Sequence, residues 1–195
     1  MVVALVLTSL FIGLLSYVIV VLILRRSFYK RFDAPKVTFI GLDNSGKSVL
    51  LYMLKDNEIY DMPSTIGFNV ENVTLGYNKV VTVYDVGGQR PIRPLWRHYF
   101  HSTKLICFVI DGSKPDRFKE ALDELIMVDE SSDLSKNCKM MVVVNKKDCE
   151  GFVPCDQIRG ILGLDSFKRK WATMNLCAID TDSVDQLRQW LYNHI

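Results

Sequence analysis

Two kinds of apolar pattern divide this chain of 195 residues. Met1–Leu24 carries no charged side chain and is mostly Val, Leu and Ile. From Lys36 onward, short apolar runs alternate with amphipathic stretches. The runs Lys36–Ile40, Asn69–Leu75, Val80–Asp85, Leu105–Ile110, Met140–Val144 and Thr173–Ile179 predict strands, with the second and third forming a hairpin that turns at Gly76–Lys79. Val49–Lys55, Asp116–Asp129, Cys155–Leu162 and Val184–His194 predict helices. This alternation predicts an α/β domain, a six-stranded, mostly parallel sheet with helices on both faces. Sites in such sheets lie at the carboxyl ends of the strands.

The first segment predicts something different. At about 1.5 Å per residue, Met1–Leu24 would make roughly 36 Å of helix, enough to span a bilayer with some tilt. It is apolar all round, whereas a helix packed on a domain shows an amphipathic stripe. Arg25, Arg26, Lys30 and Arg31 follow it directly, and the positive-inside rule then places the rest of the chain in the cytoplasm. A cleaved signal peptide would carry its basic residues first and have a shorter apolar core. Val2 stands where myristoylation needs glycine. The expected organisation is a transmembrane helix over 1–24, a basic linker over 25–35 and one domain over 36–195, anchored in an endomembrane (ER or Golgi) by a single pass. Phe28, Tyr29 and Phe32 in the linker fit an aromatic belt in the headgroup region, or a segment that docks on the domain.

Chemistry enters at the ends of the predicted strands. Gly41-Leu42-Asp43-Asn44-Ser45-Gly46-Lys47-Ser48 fits G-x-x-x-x-G-K-[ST] between a strand and a helix. Such a loop aims backbone N–H groups and the positive end of a helix dipole at one anion. Lys47 supplies charge to the β/γ-phosphates, and the Ser48 hydroxyl is a Mg²⁺ ligand. The bland alternative is a glycine turn, which the strand–loop–helix context argues against. Asp85-Val86-Gly87-Gly88-Gln89 follows another strand. There Asp85 can hold Mg²⁺ through water, the Gly88 N–H can meet a γ-phosphate, and Gln89 can orient an attacking water. Asn145-Lys146-Lys147-Asp148 has the spacing N-K-x-D. The Asp148 carboxylate can accept from N1–H and the exocyclic amine of guanine, a donor pair adenine lacks. The stem of Lys146 can cover a face of the base. Alone, N-K-x-D is most often a solvated turn; downstream of a P-loop it selects GTP over ATP.

With these motifs and Ser64-Thr65-Ile66-Gly67-Phe68-Asn69-Val70-Glu71, Arg93-Pro94-Leu95-Trp96-Arg97-His98-Tyr99-Phe100 and Cys177-Ala178 in place, the chain closely resembles the Arf and Arf-like small GTPases over about residues 36 to 195. The resemblance implies a Ras/Arf-like P-loop GTPase fold and a GTP-binding switch that hydrolyses GTP to GDP with Mg²⁺. It implies that Thr65 is the switch I threonine that joins Ser48 on the metal. It implies that Gly88 and Gln89 are the switch II γ-phosphate sensor and catalytic glutamine, and that Cys177-Ala178 backs the guanine. Partners would be an exchange factor, a GTPase-activating protein and effectors, met through the switch regions and an aromatic patch of Phe68, Tyr84 and Tyr99. Departures from the pattern are Tyr84 in place of Trp, Arg90-Pro91 after Gln89, Ile179 after Cys-Ala, and the extra residue in Pro63-Ser64-Thr65. Typical Arf proteins use a lipidated amphipathic helix, which Met1–Leu24 is not. Such a protein would regulate membrane traffic or organelle function through GTP-dependent effectors, and would hydrolyse GTP slowly without a GTPase-activating protein.

Two rivals follow from the same motifs. The beta subunit of the signal-recognition-particle receptor is also Arf-like with an amino-terminal span, but Gln89 and Arg93–Phe100 favour the Arf-like reading. A GTP-loaded scaffold with little hydrolysis is the second, and Gln89 argues against it. A formal net charge of +2 gives no support for nucleic-acid binding. Five cysteines without a C-x-x-C pair suit reduced cytosolic thiols. His98, His101 and His194 have no metal-ligand spacing.

Overall fold

The structure, a computed structural model, describes residues 12–22, 34–60, 63–77 and 79–195. The chain divides into two compact units, Met1–Ala34 and Pro35–Ile195. In the first, residues 12–22 form a helix, α1, and every one of them is exposed. The Ser16 hydroxyl donates to the Gly13 carbonyl at 2.8 Å, so this polar group is satisfied within the helix. Among the described residues no helix is long and apolar enough to cross a membrane. The rest of the expected span, and Phe28, Tyr29 and Phe32 of the linker, lie outside the described residues.

The second unit carries six strands: β1 (Lys36–Ile40), β2 (Phe68–Gly76), β3 (Lys79–Val86), β4 (Thr103–Asp111), β5 (Lys139–Asn145) and β6 (Trp171–Asn175). They lie in the order β2-β3-β1-β4-β5-β6. Only the β2–β3 hairpin is antiparallel; the other pairs are parallel. The helices are α2 (Lys47–Asp56), α3 (Phe118–Glu130), α4 (Cys155–Ile161) and α5 (Thr181–His194).

Burial explains the apolar runs. In β4, Ile106, Phe108 and Ile110 enter one core with Leu125 of α3 and Ile158 of α4. Leu105, Cys107 and Val109 enter the other, with Leu50 and Leu54 of α2 and Leu187 and Leu191 of α5. A central strand covered on both faces has no position for a polar residue, so it reads as a continuous apolar run. β2, at the edge, keeps an alternating pattern with Phe68, Val70 and Glu71 only partly covered or exposed. Both cores lie wholly within residues 35–195.

Several element boundaries depart from the pattern-based expectation. The helix expected from Asp116 starts at Phe118, because Pro115–Arg117 form a 3-10 turn led by proline. Arg93–Tyr99 also form 3-10 helix, opened by Pro94 near its start. The strand expected over Thr173–Ile179 is β6, Trp171–Asn175, and ends early. There the Ala178 N–H donates to the Asn145 side chain at 2.9 Å rather than continuing a sheet ladder. α5 then begins three residues before Val184, capped by Asp180, whose carboxylate accepts from the Ser183 N–H at 3.0 Å.

Candidate functional site: a nucleotide cradle at the strand ends

The parallel strands bring the motifs to one edge. β1 runs into Gly41, β3 into Gly87-Gly88, β4 ends at Asp111, β5 at Asn145 and β6 at Asn175. Pairing puts Phe39 beside Asp85 and Asp111 beside Asn145. A cavity of about 400 Å³ opens here, lined by Asp43, Lys47, Ser48, Thr65, Gly88 and Gln89 among others. A smaller hollow of about 150 Å³ adjoins it, sharing Gly46, Val49 and Lys146 and adding Asp148 and Ala178.

Residues 41–48 wrap the first cavity. Gly46 precedes α2 with φ 90°, and no side chain caps the helix, so the first-turn N–H groups are available to an anion. A Cβ on Gly46 would lie 2.3 Å from the Asn145 amide nitrogen, and one on Gly88 would lie 2.2 Å from the Gly41 carbonyl oxygen. Glycine is required at both positions by close approach. Lys47 is buried and donates to the carbonyls of Leu42 (2.7 Å) and Gly41 (3.0 Å). Burial lowers its pKa to about 8, against the opposing pull of Asp85 and Asp43.

Beside it, Ser48 donates to Asp85 Oδ2 at 2.6 Å, and its hydroxyl lies 2.8 Å from that of Thr65. Thr65 also donates to Asp85 Oδ2, at 3.3 Å. Asp85 is fully buried, and its Oδ1 has no hydrogen-bond partner among the described residues. Burial raises the Asp85 pKa, while Ser48, Lys47 and Thr65 oppose the rise. Two hydroxyls and one carboxylate, which includes the unmatched buried oxygen, form a donor set of hard oxygens that fits Mg²⁺ with its retained waters. The residues that fit the metal are therefore Ser48, Thr65 and Asp85.

Switch II closes on this loop. The Asp43 N–H donates to the Gly88 carbonyl at 3.2 Å, and the Gly87 N–H to the Gly67 carbonyl at 2.9 Å. Gln89 lines the cavity. Two arginines that the motif reading had not assigned to the site hold it from behind. Arg93, almost fully buried, donates to the Gly88 carbonyl at 2.8 Å and to Asp43, Glu120 and Glu124. Arg117 donates to the Asp43 carbonyl and carboxylate and to Glu120. Burial pushes the Asp43 pKa up, but the two arginines and the Asp43 backbone outweigh it and hold it below the usual range. These contacts span up to 74 residues of sequence, and only Arg93, in a motif run with Pro94 after it, offered a local sign.

At the base end, Asn145 is a brace. Its amide donates to the Ser45 carbonyl at 2.9 Å and accepts from the Ala178 N–H at 2.9 Å, tying the phosphate loop to the Cys177-Ala178 loop. Lys146, in the left-handed region at φ 67°, pairs with Asp111 at 2.7 Å. Asp148 is exposed and accepts a hydrogen bond from the Cys177 thiol at 3.1 Å. That thiol holds the carboxylate pKa below its ordinary value. Phe68 and Tyr99 rings lie 5.1 Å apart, and Tyr84 and Tyr99 6.3 Å apart. Ile179 is half exposed at the rim of the hollow.

The model of the ADP-ribosylation factor family matches residues 22–195. The chain belongs to that family. It is 37% identical over 173 residues to ADP-ribosylation factor J of Dictyostelium discoideum, covering 87% of this chain and 89% of that protein. Among solved structures, it is similar to the small GTPase Arl6 (BBS3) of Trypanosoma brucei bound to GppNp, with a TM-score of 0.74 at 24% identity over 82% of this chain and 96% of that one. It is likewise similar to the mammalian signal-recognition-particle receptor structure, with a TM-score of 0.75 at 19% identity over 82% of this chain and all of that one. At these identities the two structures show the fold alone. As an Arf-family protein, the chain is a GTPase that binds GTP and GDP with Mg²⁺ and works through regulators and effectors.

Proposed function

We propose that this Arf-family GTPase is a membrane-anchored switch that acts in membrane traffic or organelle function on an endomembrane. The observation that carries the switch reading is the convergence of Ser48, Thr65 and Asp85. It joins the phosphate loop, the segment before β2 and the end of β3 through one buried carboxylate. Mg²⁺ bound there would neutralise charge developing on the β- and γ-phosphate oxygens. Residues 41–48 cradle the phosphates, Lys47 adds its charge, and the Gly88 N–H meets the γ-phosphate. Gln89 orients the attacking water, and hydrolysis stays slow until a GTPase-activating protein contributes an arginine. The guanidinium groups of Arg93 and Arg117 are engaged by Asp43 and Glu120, so neither acts as a built-in finger. Asn145, Lys146, Asp148, Cys177 and Ala178 hold and read the guanine. Phe68, Tyr84 and Tyr99 receive effectors.

The anchor rests on the 24 uncharged residues Met1–Leu24 and the four basic residues after them. A span of this kind inserts effectively irreversibly, so membrane attachment is independent of the nucleotide and the switch selects partners only. Two measurements test the reading. Gln89→Leu should retain GTP binding and lose hydrolysis stimulated by a GTPase-activating protein; unchanged stimulated hydrolysis removes Gln89 from its role. Ser48→Asn and Gln89→Leu forms should both remain in the pellet after alkaline carbonate extraction, and release of either shows that residues 1–24 are not an integral span. A receptor beta-subunit role would share the fold and the amino-terminal span, but Gln89 and Arg93–Phe100 favour the Arf-like reading.

A further inference from the structure

We propose that the end of the sheet opposite the nucleotide cradle is a docking face for an anionic membrane surface. An open groove of about 610 Å³ lies there, between the loop entering β5 and the loop entering β6. Its lining includes five cationic residues, Lys136, Lys139, Lys168, Arg169 and Lys170, and no acidic one.

The five are not equivalent. Arg169 belongs to the fold, because its guanidinium donates to the carbonyls of Asp129, Ser131, Leu134 and Ser135. Lys168 pairs with Glu130 at 2.9 Å, but both side chains are largely exposed, and such pairs hold weakly. Lys139 donates to the His194 carbonyl. Lys136 and Lys170 are exposed and form no ion pair with any described residue. The buried carboxylate of Asp129 is turned inward to the Trp171 indole and to the N–H groups of Lys168 and Arg169. It therefore does not offset the lysines at the surface. Trp190, stacked on His194 with ring centroids 4.1 Å apart, lies in the same groove, and an amphipathic ring of this kind suits a headgroup layer.

Topology selects the occupant. β1, β4, β5 and β6 are parallel, so Lys36, Thr103, Lys139 and Trp171, their first residues, lie at one end of the sheet. The polypeptide enters the domain at Pro35, at that end. The choice of a membrane rests on the anchoring reading above: on that reading, residues 25–34 form a tether of at most about 35 Å. The cationic end is then kept near an anionic leaflet, while the cradle at the other end stays open to exchange factors and effectors.

The test uses residues 35–195 loaded with GDP, a unit that contains both cores. It should sediment with vesicles of phosphatidylcholine doped with phosphatidylserine, not with phosphatidylcholine alone, and high salt should release it. Combining Lys136→Ala with Lys170→Ala should lower partitioning about 25-fold, about fivefold per lysine. Lys136→Arg with Lys170→Arg should retain it, and GDP binding should be unchanged in both. Equal sedimentation of the alanine variant and the wild type, or equal binding to neutral vesicles, overturns the proposal. So does binding of these lysines to RNA or inositol hexakisphosphate without vesicle binding. Because residues 1–34 are absent, failure here leaves the integral span untouched. Release of the full chain by carbonate with vesicle binding retained removes the span and leaves this face.

Discussion

The phosphate end and the base end of the cradle are built on different principles. At the phosphate end the charges are buried before any ligand arrives: Lys47 and Asp85 sit within the core, and one Asp85 oxygen has no partner among the described residues. At the base end the reading group, Asp148, is exposed and rests against a thiol. A buried, incompletely satisfied pair gains most when its missing partner binds. An exposed carboxylate loses little when empty and serves to discriminate. Affinity should therefore be concentrated around the phosphates and selectivity around the base.

Four measurements press on this contrast. Lys47→Met removes the buried cation and should weaken GDP binding by about a thousandfold, the scale of one broken buried charge contact (about 4 kcal/mol); fluorescent-nucleotide titration reads it, and a loss below tenfold would refute the concentration of affinity there. Asp148→Asn should cost about a hundredfold in GTP affinity, the scale of one hydrogen bond to a charged acceptor (roughly 1.5–3 kcal/mol), since the amide oxygen can still accept the other. It should also turn preference towards xanthine nucleotides, as competition with GTP, ATP and XTP would show.

The third is pH. Burial holds the free Lys47 near a pKa of about 8, and a bound phosphate favours its charged form. Above that pH the complex therefore carries more protons than the free protein. Nucleotide affinity should be level below pH 8 and fall by up to about tenfold per pH unit above it. Calorimetry in buffers of different ionisation enthalpy should register proton uptake on binding at pH 8.5, and no uptake would remove the perturbed lysine. The smallest effect belongs to Cys177→Ala. A thiol is a weak donor, so GTP affinity should change by less than about threefold; a loss as large as that of Asp148→Asn would mean that Cys177 holds the carboxylate in its working position.

The two ends were also unequally legible. The phosphate loop is local: eight consecutive residues state their own geometry, since glycines and a lysine at that spacing between a strand and a helix have few other uses. The N-K-x-D run is equally visible, but its inner working is not. The run does not show that the Asn145 side chain joins Ser45 to Ala178, residues far from it in sequence. That brace also cut β6 short of the expected Ile179, because alternating Leu176 and Ala178 look like strand until a side chain captures the Ala178 N–H.

Sequence alone determined the order of elements, the P-loop, the guanine motif and the uncharged amino-terminal run, because each is a property of neighbours along the chain. Tertiary structure decided the rest. It gathered Ser48, Thr65 and Asp85 on one buried carboxylate and placed Arg93 and Arg117 behind Asp43. It also collected lysines from two separate loops into a groove at the other end of the sheet. Such groupings arise when parallel strands bring distant segments to a common edge, and burial then sets which charges stay paired and which remain open to a ligand.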